Sequence, residues 1–151
     1  MNSERGLTLV ELLAVVVILS IMVAIASVMI GSLITNAKDR AILVDAETII
    51  AGAKIGMMDD AFGTGNRHLT IRFQSDDPHF EELQRYVEIA EVKWEGYSSI
   101  EMHGAENGKI TYTLHAPIFK QIKNERYRPN GEEETATLEQ VLQALERDSN
   151  E

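Results

Sequence analysis

Gly6-Leu7-Thr8-Leu9-Val10-Glu11-Leu12-Leu13 opens an apolar run that continues to Ile34 and contains one charge, the carboxylate of Glu11. Ahead of it stands a short polar head, Met1-Asn2-Ser3-Glu4-Arg5. From Leu12 to Ile34 there are 23 residues with neither a charge nor a proline. A helix rising ~1.5 Å per residue makes that run about 34 Å long, enough to cross a hydrocarbon core of roughly 30 Å. A charge at the centre of such a segment costs roughly 2.5–3.5 kcal/mol, so membrane-length runs keep carboxylates out. Glu11 stands just ahead of the uncharged part, five residues after a glycine.

Local chemistry gives Glu11 one role. Thr8-Leu9-Val10-Glu11 fits the S/T-x-x-E capping box, in which each side chain satisfies a free N–H at a helix start. The helix dipole also favours a carboxylate in the first turn by about 0.3–1 kcal/mol. The run itself has competing readings. A secretory signal needs a basic head, an apolar core of about 7–15 residues and a small-x-small cleavage site. Ala24-Ile25-Ala26 imitates that site, but the run continues past it to Ile34, and Glu4-Arg5 carries no net charge. A plain signal anchor explains the length and leaves Gly6 and Glu11 without a purpose. Arg5 on one side faces Lys38 and Arg40 on the other, so the positive-inside rule does not fix the orientation.

Taken together, Arg5-Gly6-Leu7-Thr8-Leu9-Val10-Glu11-Leu12-Leu13 closely resembles the processing motif of type IV pilins and type II secretion pseudopilins. The resemblance covers about the first thirty residues. It implies cleavage by a prepilin peptidase between Gly6 and Leu7 on the cytoplasmic side, with methylation of the new N-terminal Leu7. Family members usually carry Phe where this chain has Leu7. The resemblance also gives Glu11 a second role, in filament assembly: it pairs with the free amino group of Leu7 in a neighbouring subunit. Removing either buried charge strands the other, at about 3–5 kcal/mol.

The helical pattern outlasts the apolar run. Ile42, Ala46, Ile49, Ala53 and Met57 recur at helical period, while Asp39, Asp45, Glu47 and Asp59 fall largely off that stripe. Gly63-Thr64-Gly65-Asn66 is a stop signal, so one helix is expected from about Leu9 to Phe62. The family often has a proline inside the membrane segment; this chain has Gly31 as its one weak helix position there. The period then changes to two. Leu69, Ile71 and Phe73 alternate with polar residues as in a half-buried strand. Asp76-Asp77-Pro78 begins a short helix or turn through about Arg85, and Val87 to Trp94 is compatible with an irregular strand. Residues 100–103 and 109–114 form a predicted hairpin, with Asn107-Gly108 as its turn. Thr137 with Gln140 forms a capping box for a C-terminal helix whose apolar face is Leu138, Val141, Leu142 and Leu145.

Composition narrows the function. The chain has no cysteine, so it has no disulfide, thiolate metal site or cysteine nucleophile, whereas many pilins staple their C-terminal loop with a disulfide. From Ala37 to Glu151, 22 Asp and Glu oppose 13 Lys and Arg, a net charge of −9. Direct nucleic-acid binding is not expected, because phosphate contacts need clustered cations. The basic set Lys120, Lys123, Arg126, Tyr127 and Arg128 reads as a solvated loop pairing with Glu132-Glu133-Glu134. His68, His79, His103 and His115 lack metal-ligand spacing, and no phosphate loop, dinucleotide fingerprint or nucleophile elbow occurs. Asp59-Asp60 and Asp76-Asp77 have the type of calcium ligands but not the pattern of an EF-hand loop. Neither a cofactor nor a catalytic residue is expected.

The expectation is an α+β, pilin-like fold: a long N-terminal membrane-spanning helix packed on a small antiparallel sheet, with a C-terminal helix. Residues 1–6 would be a prepilin leader, 7–36 the transmembrane and assembly half of the helix, and 37–151 a soluble head. The resemblance implies a subunit of a type IV pilus, competence pilus or type II secretion-like filament. Its partners would be other pilin subunits, prepilin peptidase and methyltransferase, an inner-membrane assembly platform and lipid. The N-terminus would start in the cytoplasm and the head would lie outside. The alternative is a membrane-anchored adaptor that never polymerises; an enzyme ranks third. Mass spectrometry of the membrane-extracted protein, from a host with its own prepilin peptidase, should find a chain beginning at Leu7. An intact Met1 would instead indicate a plain anchor, and a chain beginning at Ser27 a secretory signal.

Overall fold

A computed structural model describes residues 8–59, 62, 68–89, 94, 98–104, 108–130 and 133–147. By internal contacts the chain divides into two units, Met1–Asn36 and Ala37–Glu151. Helix α1, Leu9–Met58, supplies the first unit and continues into the second. It ends four residues before Phe62, which lies in the following turn and is buried.

In the second unit the order is β1 His68–Arg72, α2 Pro78–Leu83, β2 Ser99–Gly104, β3 Ile110–His115, β4 Thr135–Thr137 and α3 Leu138–Glu146. Two 3-10 turns, Pro117–Gln121 and Glu125–Tyr127, lie between β3 and β4. The strands form one antiparallel sheet in the order β1-β2-β3-β4. Register follows the alternation in sequence: Leu69 faces Met102, Ile71 faces Ile100, Ile100 faces Leu114, and Leu114 faces Ala136. That places the apolar side chains on one sheet face and the polar ones on the other. Gly108 takes φ 80°, the left-handed backbone that its place in the β2–β3 connection requires. Its predecessor Asn107 lies outside the described residues.

The apolar sheet face shares a core with the C-terminal half of α1, where Leu43, Ala46, Ile49, Ile50 and Ala53 are fully or almost fully buried. Each large side chain buried there stabilises the fold by about 1.5–3 kcal/mol. Gly52 and Gly56 let neighbouring side chains pack directly against the α1 backbone. A Cβ on Gly52 would lie 2.9 Å from the Val87 side chain, and one on Gly56 would run into the Phe62 ring. Asp77 caps α2, its Oδ1 accepting from His79 N at 2.9 Å and its Oδ2 from Arg72 N at 2.8 Å. The capping box at α3 is formed: Thr137 N donates to Gln140 Oε1 at 2.8 Å, and Gln140 N donates to Thr137 Oγ1 at 3.4 Å.

Three local readings change. Val87 and Ile89 lie outside any strand and pack in the core, where Trp94 is also buried, while residues 90–93 of the expected irregular strand lie outside the described residues. On α3 the buried face is Val141 and Ala144 with Leu138 and Leu145 packed beside them, while Leu142 turns outward. Asp39, read as lying off the apolar stripe, is 2% exposed. Its Oδ2 accepts the backbone N–H of Lys123 at 3.1 Å and of Asn124 at 2.8 Å, so one carboxylate ties α1 to the linker between the two 3-10 turns. Asp39→Ala should strand both amides and cost about 1–3 kcal/mol, read from thermal unfolding of the detergent-solubilised chain. Asp39→Asn, which keeps an accepting oxygen, should lose less; equal losses in the two variants would contradict this role.

Candidate functional site

The residues singled out by sequence gather at the start of α1. Gly6 and Leu7, the expected cleavage and methylation positions, lie outside the described residues. The described site begins at Thr8, whose carbonyl accepts the first helical hydrogen bond from Leu12 N at 3.1 Å. Thr8 N donates to Glu11 Oε2 at 2.8 Å and Thr8 Oγ1 donates to the same oxygen at 2.9 Å. In return, Glu11 N donates to Thr8 Oγ1 at 3.3 Å. This is the reciprocal capping box, so the local reading of Glu11 is realised. All of these carboxylate bonds run to one oxygen, Oε2.

From Leu9 to Ile34 the side chains of α1 are exposed all round the helix. The segment has the length and composition of a membrane span. Its few polar groups are turned inward on the helix itself. Ser20 Oγ donates to Val16 O at 2.7 Å, Ser27 Oγ to Val23 O at 2.7 Å, and Thr35 Oγ1 to Gly31 O at 3.0 Å. Ser32 Oγ likewise donates to Met29 O at 2.9 Å. A hydroxyl in hydrocarbon without a partner costs several kcal/mol, and this back-bonding removes that cost in every hydroxyl residue of the segment. Gly31, the weak position, stays helical, and a Cβ there would meet nothing within 4 Å.

Several charged groups of the head are bonded within it. Lys120 Nζ pairs with Glu134 Oε1 at 2.6 Å, as the basic-loop reading requires. The arginines behave differently: Arg126 Nε donates to the Arg147 carbonyl at the end of α3 at 3.0 Å, and Arg128 Nε to the Ile122 carbonyl at 3.1 Å. Asp59 Oδ2 accepts the Tyr86 hydroxyl at 2.8 Å, which raises the tyrosine pKa above its ordinary value, while Asp60 lies outside the described residues. With Asp77 capping α2, one member of each acidic pair has a structural bond. Among the described residues no three His, Asp or Glu side chains are placed to hold a metal ion.

Sequence spacing missed one cluster. His68, His103 and His115 come from three neighbouring strands and stand with Glu101 on the polar sheet face. Glu101 Oε2 lies 3.2 Å from His103 Nε2 and 3.4 Å from His115 Nε2. The His103 hydrogen bond lowers the Glu101 pKa; burial opposes the shift and the nearby His115 adds to it. The available signal was strand parity, because alternation puts all four side chains on one face once the strands are paired. On the opposite side of β3, a groove of about 1030 Å³ is lined by Met57 and Met58 of α1, Ile110 and Tyr112 of β3, and Leu138 and Leu142 of α3.

Compared with known proteins, residues 1–27 match the family model described as the prokaryotic N-terminal methylation motif. This is the prepilin-type signature of type IV pilins and pseudopilins. No curated protein and no solved structure matches the chain. The match covers Gly6, Leu7, Glu11 and most of the apolar run; the head lies beyond it.

Proposed function

We propose that the chain is a structural subunit, a pilin or pseudopilin, of a type IV pilus, competence pilus or type II secretion-like filament. Prepilin peptidase cuts it between Gly6 and Leu7, the Leu7 amine is methylated, and the apolar half of α1 serves first as a membrane anchor and then as the filament core. The N-terminus begins in the cytoplasm and the head faces outward. The prepilin-type motif running directly into an apolar helix is the observation that carries this reading. An anchor alone has no need for a glycine and a carboxylate at this spacing.

Glu11 is the residue on which assembly turns. Its cap engages Oε2, and a carboxylate has a second oxygen that can accept from an ammonium. In a bundle of apolar helices the Leu7 ammonium of a neighbour is the cation that oxygen would meet. Capping and pairing are therefore compatible. The partners are other pilin subunits, the processing peptidase and methyltransferase, an assembly platform in the membrane, and lipid. The role is mechanical rather than enzymatic. A second reading, a membrane-anchored adaptor that never polymerises, draws on the apolar groove beside Met58 and Leu142 as a place for another protein.

Glu11→Gln separates the two. Gln serves in a capping box nearly as well as Glu, so the helix start survives. Losing the charge strands a neighbour's ammonium in an apolar bundle, at about 3–5 kcal/mol. The variant should be inserted and cut after Gly6 but enter sheared filaments or cross-linked multimers poorly. Normal incorporation would remove the charge-pair mechanism. A wild type that stays monomeric with the rest of the system present would favour the adaptor.

A further inference from the structure

His68 opens β1 and stands directly opposite His103 on β2. Their Nδ1 atoms lie 3.0 Å apart, with ring centroids at 5.2 Å. On the far side of the His103 ring, Nε2 lies 3.2 Å from Glu101 Oε2. A carboxylate only accepts, so the Glu101 contact places a proton on His103 Nε2. The neutral ring then presents a lone pair at Nδ1. With both rings neutral, His68 Nδ1–H donates to His103 Nδ1. Two imidazole nitrogens are thus aimed at each other with one proton between them. Both side chains are exposed, and strand pairing fixes both backbones.

We propose that His68 and His103 form a two-histidine site for a borderline divalent transition metal, Cu(II) or Ni(II), with Glu101 as a positioning residue. The metal replaces the shared proton. His68 gives its Nδ1 proton to water and takes one at Nε2, so both rings stay neutral and no net proton is released. Each Nδ1 then donates a lone pair to the metal. Metal–nitrogen bonds of about 2.0–2.1 Å at a right angle place the two nitrogens about 2.9 Å apart; a tetrahedral angle would place them about 3.4 Å apart. The observed 3.0 Å is a hydrogen-bond separation that leaves both nitrogens within reach of one ion, and for imidazole ligands affinity among the divalent metals rises through Ni(II) to Cu(II). The rings need only swing about their side-chain torsions.

Glu101 acts through His103, as carboxylates behind metal-bound histidines do: it fixes the tautomer and the ring plane. His115 Nε2 lies 3.4 Å from the same Glu101 oxygen, and among the described residues no other partner reaches this buried atom. His115 pairs with Ser99, toward the end of β2 away from His103, and so flanks the carboxylate rather than the metal. Because no third His, Asp or Glu among the described residues joins the pair, water fills the remaining positions. Calcium and magnesium, which require oxygen ligands, are not bound here.

The test is calorimetric titration of the tag-free, chelator-stripped full chain in detergent with NiCl2, CuCl2, ZnCl2 and CaCl2. One equivalent of Ni(II) or Cu(II) should bind, Zn(II) more weakly, and calcium not at all. Copper resonance spectra should show coupling to two imidazole nitrogens. His68→Ala and His103→Ala should each abolish binding while metal-free unfolding is unchanged. Glu101→Gln should weaken binding about 10–100-fold. Nitrogen NMR of the metal-free protein should find His103 as the Nε2–H tautomer in the wild type but not in Glu101→Gln. His115→Ala should leave Ni(II) affinity within about twofold, since that ring flanks only the carboxylate. Absence of Ni(II) and Cu(II) binding, or equal binding after His68→Ala and His103→Ala (an adventitious ion only), would overturn the site.

Discussion

The stripe formed by Leu43, Ala46, Ile49, Ile50 and Ala53 is the surface on which the head is built. A four-stranded antiparallel sheet has one face to hide, and here that face carries Ile71, Ile100, Met102, Leu114 and Ala136. Without a helix over it, those side chains would meet water, at about 1.5–3 kcal/mol for each large one. The small residues of the stripe and of its neighbours matter as much as the large ones. Gly52 and Gly56 let Val87 and Phe62 approach the helix backbone, and any larger residue would push them away. Asp39 then fixes the linker between the 3-10 turns by its own carboxylate.

The first half of the same helix obeys a different rule. It has no stripe, because apolar residues surround it, and its hydroxyls return to its own carbonyls. A helix polar on one side suits water and a core; one apolar all round suits lipid or a bundle of its own kind. The change from one pattern to the other is written into residues 9–58 without a break in the hydrogen-bond ladder.

Much of this was legible because it is local. The helix start at Thr8 and Glu11, the capping box at Thr137 and Gln140, and the β2–β3 pairing are set by spacings of a few residues. The antiparallel sheet and the C-terminal helix follow from periods of two and of three to four. What sequence missed depends on distant partners. Asp39 is buried because two amides 84 and 85 residues away come to meet it, and period alone sends a carboxylate outward. Val87 and Ile89 are apolar for the core, not for a ladder. The histidine cluster needed the strand register before its members could be seen as neighbours.

At the start of α1 a single side chain holds the account together. Glu11 caps its own helix through one carboxylate oxygen, and the proposed filament gives it a neighbour's ammonium. Zero-length carbodiimide cross-linking of assembled material, mixed from heavy- and light-isotope copies, reads that contact directly. Peptide mass spectrometry should find an amide between the Leu7 amine of one isotopic copy and the Glu11 carboxyl of the other. Assembled material that yields cross-links elsewhere but never between Leu7 and Glu11 of different copies would contradict the account.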